Sequence, residues 1–273
     1  MMREARGVSE QGYPAERIDT SRPHPARMYD YWLGGHDNYE IDRDAAERIL
    51  ATSPGARDAV RANRAFLLRA VRVLVRDYGV RQILDLGTGI PTSPNTHEIA
   101  QTIAPETRVA YIDNDPIVGV HAQARLTGAG ATGFLLADAR EPEAILEHPD
   151  IRALIDFDRP VALLLVAVLH FVTDKENPWQ IVATLRDALP AGSFMALSHG
   201  TADHITADLS ETSRVYNNAT ASLSLRPRSE VAAFFEGFEL IDPGLVTVAE
   251  WRPEAVDPDP NRYGVYAGVA RKP

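Results

Sequence analysis

Three aspartates stand out because each closes a short apolar run. Ile83-Leu84-Asp85 opens into Leu86-Gly87-Thr88-Gly89, Tyr111-Ile112-Asp113 into Asn114-Asp115-Pro116, and Leu136-Ala137-Asp138 into Ala139-Arg140. Asp113 lies 24 residues past Gly89, and Asp138 lies a further 25 along. A carboxylate followed by Gly-x-Gly sets negative charge beside a turn where backbone can approach a ligand closely. An acidic side chain ~20 residues beyond such glycines can accept both hydroxyl protons of a ribose. A carboxylate at the third position can accept from an adenine amino group. Any one of these aspartates is more often a helix N-cap, and a bare strand–helix turn is the alternative for the glycines alone. Three in succession beside Gly-x-Gly point to a nucleoside-bearing ligand.

The kind of nucleoside follows from charge. A dinucleotide fingerprint needs a third glycine three places after the second, and Thr92 stands there. Asp85 would also repel a pyrophosphate while attracting an ammonium group. Both features disfavour a nicotinamide oxidoreductase and favour S-adenosylmethionine, which carries an amino acid and a sulfonium.

These residues need elements to hold them. From residue 80 onward, strands expected at Gln82–Leu86, Arg108–Ile112, Gly133–Ala137, Val161–Val168 and Ser193–His199 alternate with helices at Asn95–Ala104, Pro116–Ala124, Pro142–Glu147 and Glu176–Ala188. Such alternation means βαβ units and a parallel sheet covered on both faces. Val161–Val168 is apolar throughout, as suits a central strand. A polar stretch, 202–226, and a helix near Arg228–Phe235 follow. Two long strands, Phe238–Trp251 and Tyr263–Arg271, then predict a terminal antiparallel pair. Before residue 80, about a dozen loose residues lead to helices at Ala26–Leu33, Asp42–Ala51 and Gly55–Tyr78, the first started by Pro23 and Pro25 and stopped by Gly34-Gly35. The expected division is an N-terminal helical extension, 1–79, and an α/β domain, 80–273.

Taken together, Asp85-Leu86-Gly87-Thr88-Gly89, Asp113, Asp138-Ala139 and Val166-Ala167-Val168-Leu169-His170-Phe171 resemble the successive motifs of a class I S-adenosylmethionine-dependent methyltransferase. Arg22-Pro23-His24-Pro25-Ala26-Arg27, Tyr29-Asp30-Tyr31-Trp32-Leu33-Gly34-Gly35, Asn38, Asp42-Arg43, Pro243-Gly244 and Trp251-Arg252-Pro253 are similar to a bacterial methyltransferase family with no assigned substrate. The likeness runs from about Ile18 to the C-terminus. It implies an α/β, Rossmann-like, seven-stranded and mostly parallel sheet with a reversed last strand. It also implies a cofactor site built from Asp85, Gly87, Thr88, Gly89, Asp113, Asn114, Asp138, Ala139 and Val166. Arg27, Tyr31 and Gly34 would join it from an N-terminal lid, Arg27 facing the methionine carboxylate; the alternative is a helix packed on the sheet edge. Val166 stands where such enzymes often carry Asn or Asp, which disfavours amine chemistry that relies on a polar group there.

His170 directly follows the strand that should floor the pocket. With an ordinary pKa near ~6.5 it is a candidate base for a substrate hydroxyl, against the plainer role of packing the turn. His36, His199 and Asn217 are weaker candidates in overhanging loops. None of the eight histidines has the paired helical spacing of a zinc site.

Composition narrows the rest. The 273 residues contain no cysteine, which removes disulfides, thiolate metal sites and cysteine nucleophiles. A net charge of −10 disfavours nucleic acid as a partner, and leaves a small-molecule acceptor or, second, a protein. The longest apolar run is too short to span a bilayer and the N-terminus lacks a secretory core, so a cytoplasmic protein is expected. The acceptor should lie beneath 201–226, a segment rich in Thr, Ser, Asn and Asp. A non-catalytic S-adenosylmethionine sensor is the alternative from another functional class.

Overall fold

The computed structural model describes residues 19–126, 131–206 and 208–273. The dozen residues expected to be loose at the N-terminus lie outside them. Three helices come first: α1 (Pro25–Leu33), α2 (Glu40–Thr52) and α3 (Ala56–Arg76). Then follow β1 (Gln82–Leu86), α4 (Thr96–Ile103), β2 (Arg108–Asp113), α5 (Pro116–Leu126), β3 (Thr132–Leu136), α6 (Pro142–Glu147), α7 (Pro149–Leu154) and β4 (Ala162–Val166). The last third holds α8 (Pro178–Ala188), β5 (Phe194–Gly200), α9 (Ser210–Asn217), α10 (Arg228–Ala233), β6 (Glu239–Leu240), β7 (Val246–Thr247) and β8 (Val265–Arg271).

The sheet runs β3-β2-β1-β4-β5-β8-β6, with β7 also paired to β8. β1 to β5 are parallel, and β8 lies antiparallel to β5 from Phe194↔Arg271 to Gly200↔Val265. The reversed last strand is therefore present. The expected strand Phe238–Trp251 is not continuous. Its ends pair with β8 as β6 and β7, and Pro243-Gly244 interrupts between them. Proline brings no N–H to the ladder, and Gly244 turns with φ +88°.

Alternation along each strand fills two layers. Leu84, Leu86, Leu163 and Leu165 face α8 and the segment around Phe234, while Ile83, Val109, Ala162 and Leu164 face α3. Helix α3 buries Phe66, Ala70 and Leu74 completely, each large side chain contributing roughly 1.5–3 kcal/mol. Phe66 meets Trp251 edge-to-face at 5.3 Å, and Arg69 Nε donates to the Trp251 carbonyl at 3.0 Å. The third helix of the expected extension 1–79 thus packs in the layer that covers the sheet, from Phe66 to Val75, while its first turns, with Ala56 and Val60, pack against α1 and α2.

Helices α1 and α2 form a smaller core with α9, in which Met28, Trp32, Ile49, Val215 and Tyr216 are buried together. The start of α1 is set by His24, whose Nδ1 accepts from the Ala26 N–H, and by Pro25 in the first turn. Gly34, at φ +86°, ends it. Helix α9 rises within the polar stretch 202–226. Among the described residues no helix is long and apolar enough to cross a membrane.

Candidate functional site

The strand order reverses between β1 and β4, and a cleft of about 320 Å³ opens at the carboxyl ends of the strands there. Gly87, Thr88, Gly89, Asp113, Asn114, Asp138, Ala139, Val166 and Arg27 all line it. Strand-end aspartates from β1, β2 and β3 were expected to converge. Those of β2 and β3 do.

Asp113 is held by backbone. Its Oδ2 accepts from the Gly89 N–H at 2.8 Å and its Oδ1 from the Asp115 N–H at 2.9 Å. Burial pushes its pKa up to about 6 despite those donors. Asp138 accepts from Arg140 Nε at 2.8 Å and from Asn114 Nδ2 at 3.2 Å. Burial would raise this carboxyl too, but the Arg140 contacts prevail and hold it below the usual range. Arg140 also bonds Glu176, which anchors the guanidinium that holds the third carboxylate.

The two glycines differ in what they accommodate. A Cβ on Gly87 would lie 2.5 Å from Val168 Cγ2, so this close approach is made by protein. Nothing stands within 4 Å of the corresponding position at Gly89. Both have φ +67°, which favours glycine.

Three expected site residues, Asp85, Tyr31 and Gly34, stand elsewhere, and a fourth, Arg27, is already engaged. Asp85 does not line the cleft; its Oδ2 accepts from Thr96 Oγ1 at 2.8 Å, and burial raises its pKa to about 7. Tyr31 points outward and donates to Glu47 at 2.6 Å. Gly34 serves as the cap of α1, and the tight approach of the pair is between Gly35 and Asp30, whose Oδ1 would lie 2.0 Å from an added Cβ. Asp30 in turn accepts from the Asp37 N–H and from Asn38. Arg27 is in the cleft wall, yet its Nε is engaged by Asp115 Oδ2 at 3.0 Å and its Nη1 by the Asp19 carbonyl.

His170 lines a second cavity, of about 280 Å³. Its Nδ1 accepts from the Gly200 N–H at 3.2 Å, which places the ring proton on Nε2. Burial, then His199 and Arg226, lower its pKa well below the ordinary value. A neutral ring whose free nitrogen is a donor is poorly made to take a proton, so the geometry does not support the general-base role expected of His170. His199 likewise accepts from Arg226 at its Nε2, at 2.9 Å, and does not open into either cavity.

The second cavity abuts the first. Tyr29, Asn63, Ala167 and Phe171 line both. A hydrogen-bonded chain runs through this partition. Asn63 Nδ2 donates to Tyr29 Oη at 3.0 Å, Ser198 Oγ donates to Asn63 Oδ1 at 2.5 Å, and the Ala167 N–H donates to Ser198 Oγ at 3.0 Å. Ala167 has φ +58°, a strained conformation for a side-chain-bearing residue, at the end of β4. Asn63 escaped the sequence reading; its only signal was a lone amide in the buried face of α3. The segment 201–226 does overhang this cavity, but it presents Ile205, Leu209, Tyr216, Leu223 and Leu225 there, more apolar than its composition suggests.

A family model described as S-adenosyl methyltransferase matches residues 11–273. The chain is similar to a DUF574 family protein from Streptomyces avermitilis MA-4680, with 43% identity and TM-score 0.88 over 94% of this chain and 100% of that one. It is also similar to a candidate methyltransferase from Thermobifida fusca YX, with 39% identity and TM-score 0.87 over 96% of this chain and 99% of that one. Comparison with curated proteins gives no significant match.

Proposed function

This chain belongs to the S-adenosyl methyltransferase family, and from that premise we propose that it is a cytoplasmic enzyme that methylates a small molecule held in the second cavity, with S-adenosylmethionine in the first cleft. The observation that carries the reading is the partition shared by the two cavities: Tyr29, Asn63, Ala167 and Phe171 border both. A sensor has no need of a roomy chamber directly behind its ligand.

The residues fit the cofactor. The open space over Gly89 is a cradle that a side chain would fill, and the Asp113 carboxylate beside it suits a ribose diol. Asp138 offers a charged acceptor for an adenine amino group. When bound, S-adenosylmethionine supplies an electrophilic methyl group on a sulfonium. Val166 and Ala167 floor the cleft with apolar surface, and α1 covers it. The segment Arg22–Tyr39, which carries α1, is the proposed lid.

Methyl transfer is an in-line displacement, so the protein's contribution is chiefly alignment, which can account for roughly 7–11 kcal/mol of a barrier. The Tyr29-Asn63-Ser198 chain fixes the partition through which the two bound molecules must face each other. His170, as a neutral donor, helps to line the acceptor chamber and leaves proton removal to the acceptor's own acidity or to water.

Two measurements test the proposal. Calorimetry should show binding of S-adenosylmethionine and S-adenosylhomocysteine and none of NAD. Incubation with methyl-labelled S-adenosylmethionine and fractionated small metabolites should then label one fraction; a protein that binds the cofactor but labels no small-molecule fraction would instead support the sensor reading.

A further inference from the structure

S-adenosylmethionine carries one negative charge, its methionine carboxylate, and four arginines line the cleft that could meet it: Arg22, Arg27, Arg64 and Arg140. Three of them already have a carboxylate partner. Arg22 lies 3.3 Å from Asp19, Arg27 lies 3.0 Å from Asp115, and Arg140 bonds both Asp138 and Glu176. Arg27, expected from the sequence to face the cofactor's carboxylate, is thus neutralised from within the protein.

Arg64 differs. Among the described residues it has no ion pair, and its hydrogen bonds run from Nη2 to the Thr92 and Pro94 carbonyls, at 2.5 and 2.6 Å. Asp85 feels its charge, but Asp85 Oδ2 accepts from Thr96 and burial raises that pKa to about 7, which makes it a weak counter-ion at neutral pH. The two carbonyls lie in the loop after β1 and fix the guanidinium from one side. Nε and Nη1 remain as donors, and a planar fork held in place loses little freedom when a carboxylate arrives.

Its place along the cleft agrees. With adenine at Asp138 and ribose at Asp113, the amino-acid end of the cofactor extends back past Gly87 and Thr88 toward the partition. Arg64 lines the cleft with those residues and follows Asn63, a member of the partition, directly in α3. Resting on the cofactor reading above, we infer that Arg64 receives the methionine carboxylate, in place of Arg27, and that it makes the cleft selective for nucleosides bearing that group.

Calorimetry on the full chain with three ligands tests this. They are S-adenosylmethionine, its decarboxylated form, and methylthioadenosine, which lacks the amino-acid portion altogether. The unaltered protein should bind S-adenosylmethionine roughly ten- to hundredfold more tightly than the decarboxylated form, the range for hydrogen bonds between charged groups. Arg64→Gln should abolish most of that ratio and leave methylthioadenosine affinity unchanged, which reports an intact nucleoside end. If Arg64→Gln no longer binds methylthioadenosine, Arg64→Lys decides instead; its ratio should be smaller than that of the unaltered protein, because an ammonium cannot present paired donors. Arg22→Gln and Arg27→Met should keep the ratio, even where they weaken all three ligands. An unaltered protein that does not distinguish the two forms overturns the inference. So does a ratio that survives at Arg64, or one that collapses in Arg22→Gln or Arg27→Met. Failure of the unaltered protein to bind any of the three ligands would overturn the proposed function itself.

Discussion

Arg27 Nε lies 3.0 Å from Asp115 Oδ2, with both side chains buried, and this pair ties the N-terminal helix to the turn that carries Asp113. Asp115 also donates its N–H to Asp113 Oδ1 and accepts the Ile117 N–H at the start of α5. Helix α1 is thereby coupled to the carboxylate proposed to hold the ribose.

Breaking that pair should be costly. Arg27→Met leaves Asp115 buried without its cation, and the expected loss is about 3–5 kcal/mol in urea unfolding. S-adenosylhomocysteine affinity should fall with it, because the turn around Asp113 loosens. A stability loss below about 1 kcal/mol would show that the contact is incidental.

Cofactor affinity should depend on pH through Asp113. Its pKa, about 6 in the free protein, means the carboxylate is neutralised as pH falls through that value. A ribose diol prefers the ionised acceptor, so binding should be strongest above pH 7 and weaken toward pH 5. Asp113→Asn should bind about 1–3 kcal/mol more weakly at pH 8 and lose most of this pH dependence. Calorimetric titrations across pH 5–8 on both proteins decide it.

Stability should move with pH through Asp85 in the opposite sense to an ordinary ion-paired carboxylate. Its folded pKa is raised to about 7 from 3.8, so the folded state keeps a proton that the unfolded chain has already released. That contribution is fully present below pH 3.8 and is lost as pH rises through 7. Asp85→Asn, which can still accept from Thr96, should therefore stabilise the protein at pH 8 by roughly 1–4 kcal/mol. Equal unfolding midpoints at pH 8 would contradict the burial of an ionisable group there.

The two glycines after β1 should fail differently. Gly87→Ala drives a methyl into Val168 on top of a left-handed backbone, and about 2–5 kcal/mol of stability should be lost. Gly89→Ala meets no protein atom and should cost about 1–2 kcal/mol from backbone conformation, while weakening cofactor binding more. Thermal unfolding with and without S-adenosylhomocysteine separates the two effects.

His170 should resist protonation. Nitrogen-15 spectra of the ring should show the Nε2–H tautomer and no imidazolium at the ordinary histidine titration point near pH 6.5, since both its burial and the Gly200 contact favour the neutral form. A titration near pH 6.5 would restore the case for a general base.

Much of the frame was legible because it is written in local periodicity. Alternating strands and helices predicted the parallel sheet, and the ends of α1, β1 and β2 were placed to within a residue or so. Asp113, Asp138 and the glycines lie where the strand ends had to put them, since parallel strands in one sheet bring their carboxyl ends to one edge. Pro243-Gly244 is visible in the sequence too, but the apolar pattern on both sides of it masks the break it makes between β6 and β7.

What the chain does between distant elements was not legible in that way. Asp85, at a strand end like Asp113, turns to Thr96 on α4, while Tyr31, one helical position away from the buried Trp32, turns out to Glu47. Arg27 finds Asp115 across 88 residues, and Asn63 meets Ser198 across 135. The apolar lining of the second cavity exists only because α9 and the residues after it fold back over α1 and α2 and turn their apolar side inward. Secondary structure depends on neighbours a few residues apart, so sequence alone determined the strands, their ends and the carboxylates they carry. A side chain's partner is decided by which surfaces meet when apolar faces are buried, and that only the tertiary structure could decide.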